Sequence, residues 1–179
     1  RRRGIHHGVS NPSHDHRHAP SRAEVPVTVL LGIDLGDRRI GVATADTVTG
    51  AVRPLLTLRR GTPAQDAEAI GRISRERRAE TLVVGLPLHA DGRESEQSER
   101  TRAWVDEVGP LVGLPVALRD ERRTSQSAES RMGRAPRGRS GGAPSARART
   151  AWRARIDREA AADILQREVD ARSNTEVPT

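Results

Sequence analysis

Val27-Thr28-Val29-Leu30-Leu31-Gly32-Ile33-Asp34-Leu35-Gly36-Asp37-Arg38-Arg39-Ile40-Gly41-Val42-Ala43-Thr44-Ala45 is the stretch on which the fold turns. Val27, Val29, Leu31 and Ile33 alternate with smaller or polar partners, the two-residue period of a strand, and the run stops at Asp34-Leu35-Gly36. Arg39 to Ala45 forms a second strand after the turn Gly36-Asp37-Arg38, which is short enough for antiparallel pairing with the first. Thr49-Gly50 turns the chain again, and Ala51 to Leu58 supplies a third strand. Pro54 lacks an amide hydrogen, so that strand belongs at an edge or carries a bulge. A three-stranded meander is expected.

Working outward, Thr62-Pro63 opens a helix to about Arg78, with Ala67, Ile70 and Ile73 as its apolar contacts. Thr81-Leu82-Val83-Val84-Gly85-Leu86 is a continuous apolar run, the pattern of a strand buried on both faces. A second helix is predicted from about Ser95 to Val108, anchored by Trp104, Val105 and Val108, and a fifth strand over Pro115 to Leu118. A short helix around Gln126 to Met132 and a last one from about Asp157 to Ala171 complete the order, the latter with Ala160, Ile164, Ala161 and Leu165 on one face. Helices crossing between strands imply an α/β fold: a five-stranded mixed sheet flanked by helices, with the meander at one edge.

The 179 residues suffice for one core. Residues 1–26, which hold five of the six histidines, read as a disordered His/Arg-rich tail, 27–171 as the folded domain, 133–150 as an Arg/Gly-rich loop within it, and 172–179 as a disordered tail. All 31 basic residues are arginine, and Cys, Tyr and Phe are absent. A lysine phosphate loop, Schiff-base chemistry, thiol or phenol nucleophiles and cysteine-held zinc are therefore excluded. Carboxylates, histidines and hydroxyls remain. No apolar run is long enough to span a bilayer, and no signal-peptide pattern follows the first arginines, so a cytoplasmic protein without membrane contact is the expectation.

Charge is unevenly spread. The net is +7, yet residues 1–26 contribute +3 and residues 131–155 contribute +8, leaving the folded remainder mildly acidic. Basic segments beside an acidic body suit a protein that grips a polyanion. Arg137, Arg139, Arg147 and Arg149 would hold phosphate without reading sequence, and Trp152, between Arg149 and Arg153, is the candidate stacking residue.

Three acidic residues stand at ends of predicted elements: Asp34 closes the first strand, Glu121 closes the last, and Asp157 opens the last helix. If the first and fifth strands lie near each other, these carboxylates converge at one sheet edge, where their mutual repulsion calls for a cation. Hard divalent ions such as magnesium (Mg2+) or manganese (Mn2+) prefer oxygen ligands, and such a cluster suits phosphodiester hydrolysis. Each residue also has a plainer role open to it: Asp34 as a turn former, Glu121 as an arginine partner, Asp157 as a helix cap.

Gly32-Ile33-Asp34-Leu35-Gly36 with Arg39-Ile40-Gly41-Val42-Ala43, then Val83-Val84-Gly85-Leu86-Pro87-Leu88 with Asp91-Gly92, then Asp120-Glu121-Arg122, then Asp157 with Ala160-Ala161 and Ile164-Leu165-Gln166, together resemble the YqgF family. That family comprises bacterial Holliday-junction-resolvase-like proteins, also described as nucleases for pre-16S ribosomal RNA. The resemblance covers roughly residues 27–132 and 156–170. It implies a ribonuclease H-like fold and a cytoplasmic hydrolase that processes the 5′ end of pre-16S rRNA in ribosome biogenesis. Its partner would be the ribosomal RNA precursor or a small-subunit assembly intermediate, with branched DNA as the alternative substrate, and the protein a monomer or homodimer.

Carried over by motif, the family's acidic set falls on Asp34, Glu121 and Asp157. Arg39, Asp46 and Arg122 match further motif positions, implied to contact phosphate or brace the carboxylates. His89 and Arg123 depart from the family pattern. A non-catalytic RNA-binding assembly factor is the reading from another functional class.

Overall fold

The computed structural model describes residues 28–89, 92–120, 137 and 142–175. Five strands form one sheet: β1 (Val29–Leu35), β2 (Arg39–Asp46), β3 (Val52–Arg59), β4 (Ala79–Leu86) and β5 (Val116–Asp120). Their spatial order is β3-β2-β1-β4-β5. The first three strands are antiparallel neighbours, whereas β4 runs parallel to β1 and β5 parallel to β4. The meander lies at one edge, as expected, and β3 is its outermost strand. Pro54 sits beside a bulge there: the register passes from Val42↔Leu56 to Ala43↔Pro54, leaving Leu55 over.

Helices α1 (Pro63–Arg77) and α2 (Glu96–Val112) cover one face, and α3 (Ala146–Thr175) the other. Strand alternation divides β1 between them. Leu31, Ile33 and Leu35 join Ile70, Ile73, Trp104 and Val108 in the larger core, whereas Leu30 packs with Ala43, Ala45, Val83, Ala161, Ile164 and Leu165 under α3. Burying each such aliphatic side chain contributes about 1.5–3 kcal/mol.

Local signals explain the helix starts. Thr62 and Gln65 form a capping box with Pro63 in the first turn, and Ser95 and Ser98 form another. Between α1 and α2 the buried Asp66 carboxylate accepts from the Trp104 indole N–H at 3.0 Å and from the Gly61 amide at 2.8 Å.

One expectation changes. The last helix begins at Ala146 instead of near Asp157 and continues to Thr175, so the expected 133–150 loop ends earlier, and residues 172–175 of the expected tail are helical. Ala and Arg are strong helix formers, and Ser145 caps the start, its hydroxyl accepting from the Ala148 amide at 3.1 Å. The first and fifth strands lie near each other, one strand apart, with β4 between them. The short helix expected around 126–132 lies outside the described residues. No helix among the described residues is long and apolar enough to cross a membrane.

Candidate active site

Asp34 is the next-to-last residue of β1 and half-buried. It shares strand parity with Leu30 and Gly32, which face α3, so its carboxylate stands on that side of the sheet. Its antiparallel register partner is Gly41 of β2. The Asp157 main chain of α3 rests on Gly41 so closely that no Cβ would fit there, and Gly32 admits the helix in the same way, with the Ala161 carbonyl oxygen 2.9 Å from where a Cβ would stand. Two glycines thus bring Asp157 beside the end of β1.

Arg39, at the start of β2 on the same face, completes the arrangement. Its Nε donates to Asp157 Oδ2, and its Nη2 lies 3.5 Å from Asp157 Oδ1. The hydrogen bond to Asp157 holds the Arg39 guanidinium above its ordinary pKa; burial opposes this, and the negative charges of Asp157 and Asp34 add to it. One guanidinium therefore answers two carboxylates from different elements. Asp157 lies well inside α3, which rules out helix capping as its role.

The backbone around Asp34 is held from two sides. Gln97 at the start of α2 donates to the Leu35 carbonyl at 3.1 Å, and Arg60 donates to the Gly36 carbonyl at 3.2 Å. Ser95 donates to the Pro87 carbonyl at 2.7 Å, tying the α2 start to the end of β4. None of these residues stands out in the sequence, since each acts through a side chain on a distant backbone oxygen.

On β5, Arg119 donates to the buried Glu168 of α3, whose other oxygen accepts from Arg172 at 2.7 Å. Burial pushes the Glu168 carboxyl up, but the hydrogen bonds and charges of the two arginines outweigh it and hold the group below its usual range. Thr57 of β3 donates to the Ala154 carbonyl at 2.6 Å. Polar contacts to β2, β3 and β5 set where α3 lies.

Asp46 does not join the site. It pairs in register with Val29, at the opposite end of β1 from Asp34, and its carboxylate accepts the amides of Val48 and Thr49, each at 2.9 Å. These bonds, that to Thr49 foremost, hold its pKa below the ordinary value. Its acidity serves a turn.

Glu121, Arg122 and Arg139 lie outside the described residues. Arg137 is exposed, Arg147 and Arg149 are exposed at the start of α3, and Trp152 is half-buried on that helix. Asp34 and Asp157 are thus two of the three expected carboxylates, and no group of three metal-ligating side chains occurs among the described residues.

The strand order, the antiparallel β2 beside a parallel β1-β4-β5 set, and a carboxylate at the end of the central strand define a ribonuclease H-like α/β protein. Residues 28–171 match the RuvX family, described as Holliday junction resolvase, and the chain belongs to that family. A protein of Anaeromyxobacter sp. (strain Fw109-5) named "Putative pre-16S rRNA nuclease" is 44% identical over 142 residues, 79% of this chain and 96% of that one. A protein of the same name from Synechococcus elongatus is 39% identical over 149 residues, 82% and 91% of the two chains. Among solved structures, RuvC of T. thermophilus in complex with a Holliday junction substrate is similar over 85% of this chain and 99% of that one, with 16% identity and a TM-score of 0.49.

Proposed function

We propose that this chain is a divalent-metal-dependent nuclease that processes the 5′ end of pre-16S rRNA in the cytoplasm. The observation that carries the reading is the packing of the Asp157 main chain on Gly41, the register partner of Asp34, with Arg39 against the Asp157 carboxylate. A carboxylate at the end of the central strand and another on the helix packed against it offer the oxygen donors that Mg2+ or Mn2+ prefers. Asp34 and Asp157 would hold the ion, and Glu121, which follows the last residue of β5, is the proposed third ligand. Bound there, the ion would lower the pKa of a water and offset charge on the leaving oxygen. Arg39 neutralises the carboxylates when no ion does, and its guanidinium suits a substrate phosphate. Arg122, Arg137, Arg139, Arg147 and Arg149 are the proposed backbone contacts and Trp152 the proposed stacking residue.

Relatives named for pre-16S rRNA favour RNA as the substrate. The family description favours a second reading, four-way DNA junctions. Resolving a junction takes two symmetry-related nicks, so a protein that stays monomeric on a junction overturns that alternative.

The test is cleavage of end-labelled precursor RNA spanning the 5′ end of the small-subunit rRNA, beside a DNA junction, in magnesium, manganese or chelator. The expected result is metal-dependent RNA cutting lost in Asp34→Asn. Full cutting by Asp34→Asn, or RNA binding without cutting by the wild type, overturns the nuclease reading, and the latter outcome supports an assembly factor.

A further inference from the structure

A groove of 420 Å³ opens beside the Arg39–Asp157 pair, between the end of the β2-β3 hairpin and the first half of α3. It is lined by Arg38, Arg39, Thr57, Leu58 and Arg59 on the strand side and by Thr150 and Ala154 of the helix. Arg39 and Arg59 are direct register partners on β2 and β3, and like charges placed opposite each other on neighbouring strands repel. The charge of Arg39 is answered by Asp157. The side chains of Arg38 and Arg59 have no acidic partner among the described residues, in contrast to Arg100, Arg102, Arg119 and Arg172, each in an ion pair.

The far wall is formed by Thr150 and Ala154 of α3, and the charge of that stretch of helix lies on neighbouring positions outside the lining. From Ala146 to Ile156, α3 carries Arg147, Arg149, Arg153 and Arg155 and no acid. The seam below is closed, because the Thr57 hydroxyl is committed to the Ala154 carbonyl. What remains open is a groove beside the Arg39–Asp157 pair, with Arg38 and Arg59 on its strand side and room for a sugar-phosphate unit but not for a duplex.

We propose that this groove binds a backbone phosphate of a single-stranded flank of the nucleic acid held at the active site, with Arg38 and Arg59 as its guanidinium clamp. An anion in the groove supplies the counter-charge that Arg59, opposite Arg39, lacks, and the planar guanidiniums of Arg38 and Arg59 match the non-bridging phosphate oxygens. Recognition is of the backbone, so it is indifferent to base sequence and to the sugar. The inference rests on the nuclease reading for what lies beside the groove; its own test needs no cleavage.

The experiment measures binding of a fluorescein-labelled, non-self-complementary single-stranded RNA, and of the DNA of the same sequence, by anisotropy in chelator across a salt series. The full chain is compared with Arg38→Ala/Arg59→Ala, Arg38→Lys/Arg59→Lys and, as a control for net charge, Arg72→Ala/Arg75→Ala on the exposed side of α1. Thermal melts verify that every variant is folded. The alanine pair in the groove is expected to weaken binding about tenfold and to flatten the log–log salt slope by about 1.4, the share of two phosphate contacts, on RNA and DNA alike. The lysine pair keeps the slope, and the α1 pair leaves both quantities near wild type. Unchanged affinity and slope in the groove variant, an equal loss in the α1 control, or a loss confined to RNA or to DNA overturns the proposal. Strand cutting with an unaltered salt slope removes the groove and leaves the nuclease; a lowered slope without any cutting does the reverse.

Discussion

The main chain of Asp157 lies directly against Gly41, the residue that pairs in register with Asp34. A helix residue and a strand residue distant in sequence are thus placed together by the missing side chain of a third. Gly41→Ala should lift α3 from β2, at a cost of about 1–3 kcal/mol for an overpacked contact. Cleavage well below the melting temperature should fall further than that loss explains, because Asp157 moves with the helix. Urea unfolding alongside cleavage rates separates the two effects.

Arg39 occupies the position of a competing cation. Removing it in Arg39→Ala frees Asp157 and should tighten Mn2+ binding about tenfold, the equivalent of one charge-assisted pair, measured by calorimetry. RNA affinity in chelator should weaken in the same variant. Arg39→Lys, a point charge without the planar fork, is expected between the two for both ligands. Weaker Mn2+ binding by Arg39→Ala would show that the guanidinium supports the ion.

Trp104 and Asp66 form the polar joint between α1 and α2. Trp104→Phe leaves a buried carboxylate oxygen without its indole donor, which should cost about 1–3 kcal/mol in addition to any packing loss. In a double-mutant cycle with Asp66→Ala, the two losses should sum to more than the double variant shows. Denaturant midpoints read the coupling directly. A strictly additive cycle would mean that the hydrogen bond contributes nothing net.

Glu168 couples stability to pH. Its carboxyl sits below the unfolded value of 4.5, so its contribution is fully present above that pH and is lost as pH falls below it toward the folded value. Glu168→Gln should be less stable than wild type at neutral pH by about 1.5–3 kcal/mol, the range for hydrogen bonds to a charged group. The gap should narrow as the solution is acidified below pH 4.5, followed by thermal melts across the pH series. A gap constant down to strong acid would place the loss in packing.

The strands and the first two helices were legible because their signals are local. Alternation marked β1 and β2, Pro54 marked an edge or bulge, and Thr62-Pro63 marked a helix start; each feature is present. The start of α3 was not legible from apolar periodicity, since residues 146–155 carry only Ala and Trp152 among polar neighbours. Ser145 followed by an Ala/Arg run was the available cue, through capping and propensity. Asp46 misled for the opposite reason: it matches a family motif, and strand direction alone carries it to the far end of the sheet.

By itself the sequence determined the α/β class, the buried central strand and the candidacy of Asp34 and Asp157, because period, turn chemistry and motif spacing are properties of neighbouring residues. Only the tertiary structure decided that Arg39 pairs with Asp157, that Glu168 anchors α3 to β5, and that Arg38 and Arg59 face an open groove without counter-charge. Those relations join residues 118, 49 and 21 positions apart. They depend on how closely α3 approaches the sheet at Gly32 and Gly41, a distance set by packing rather than by any local preference of the chain.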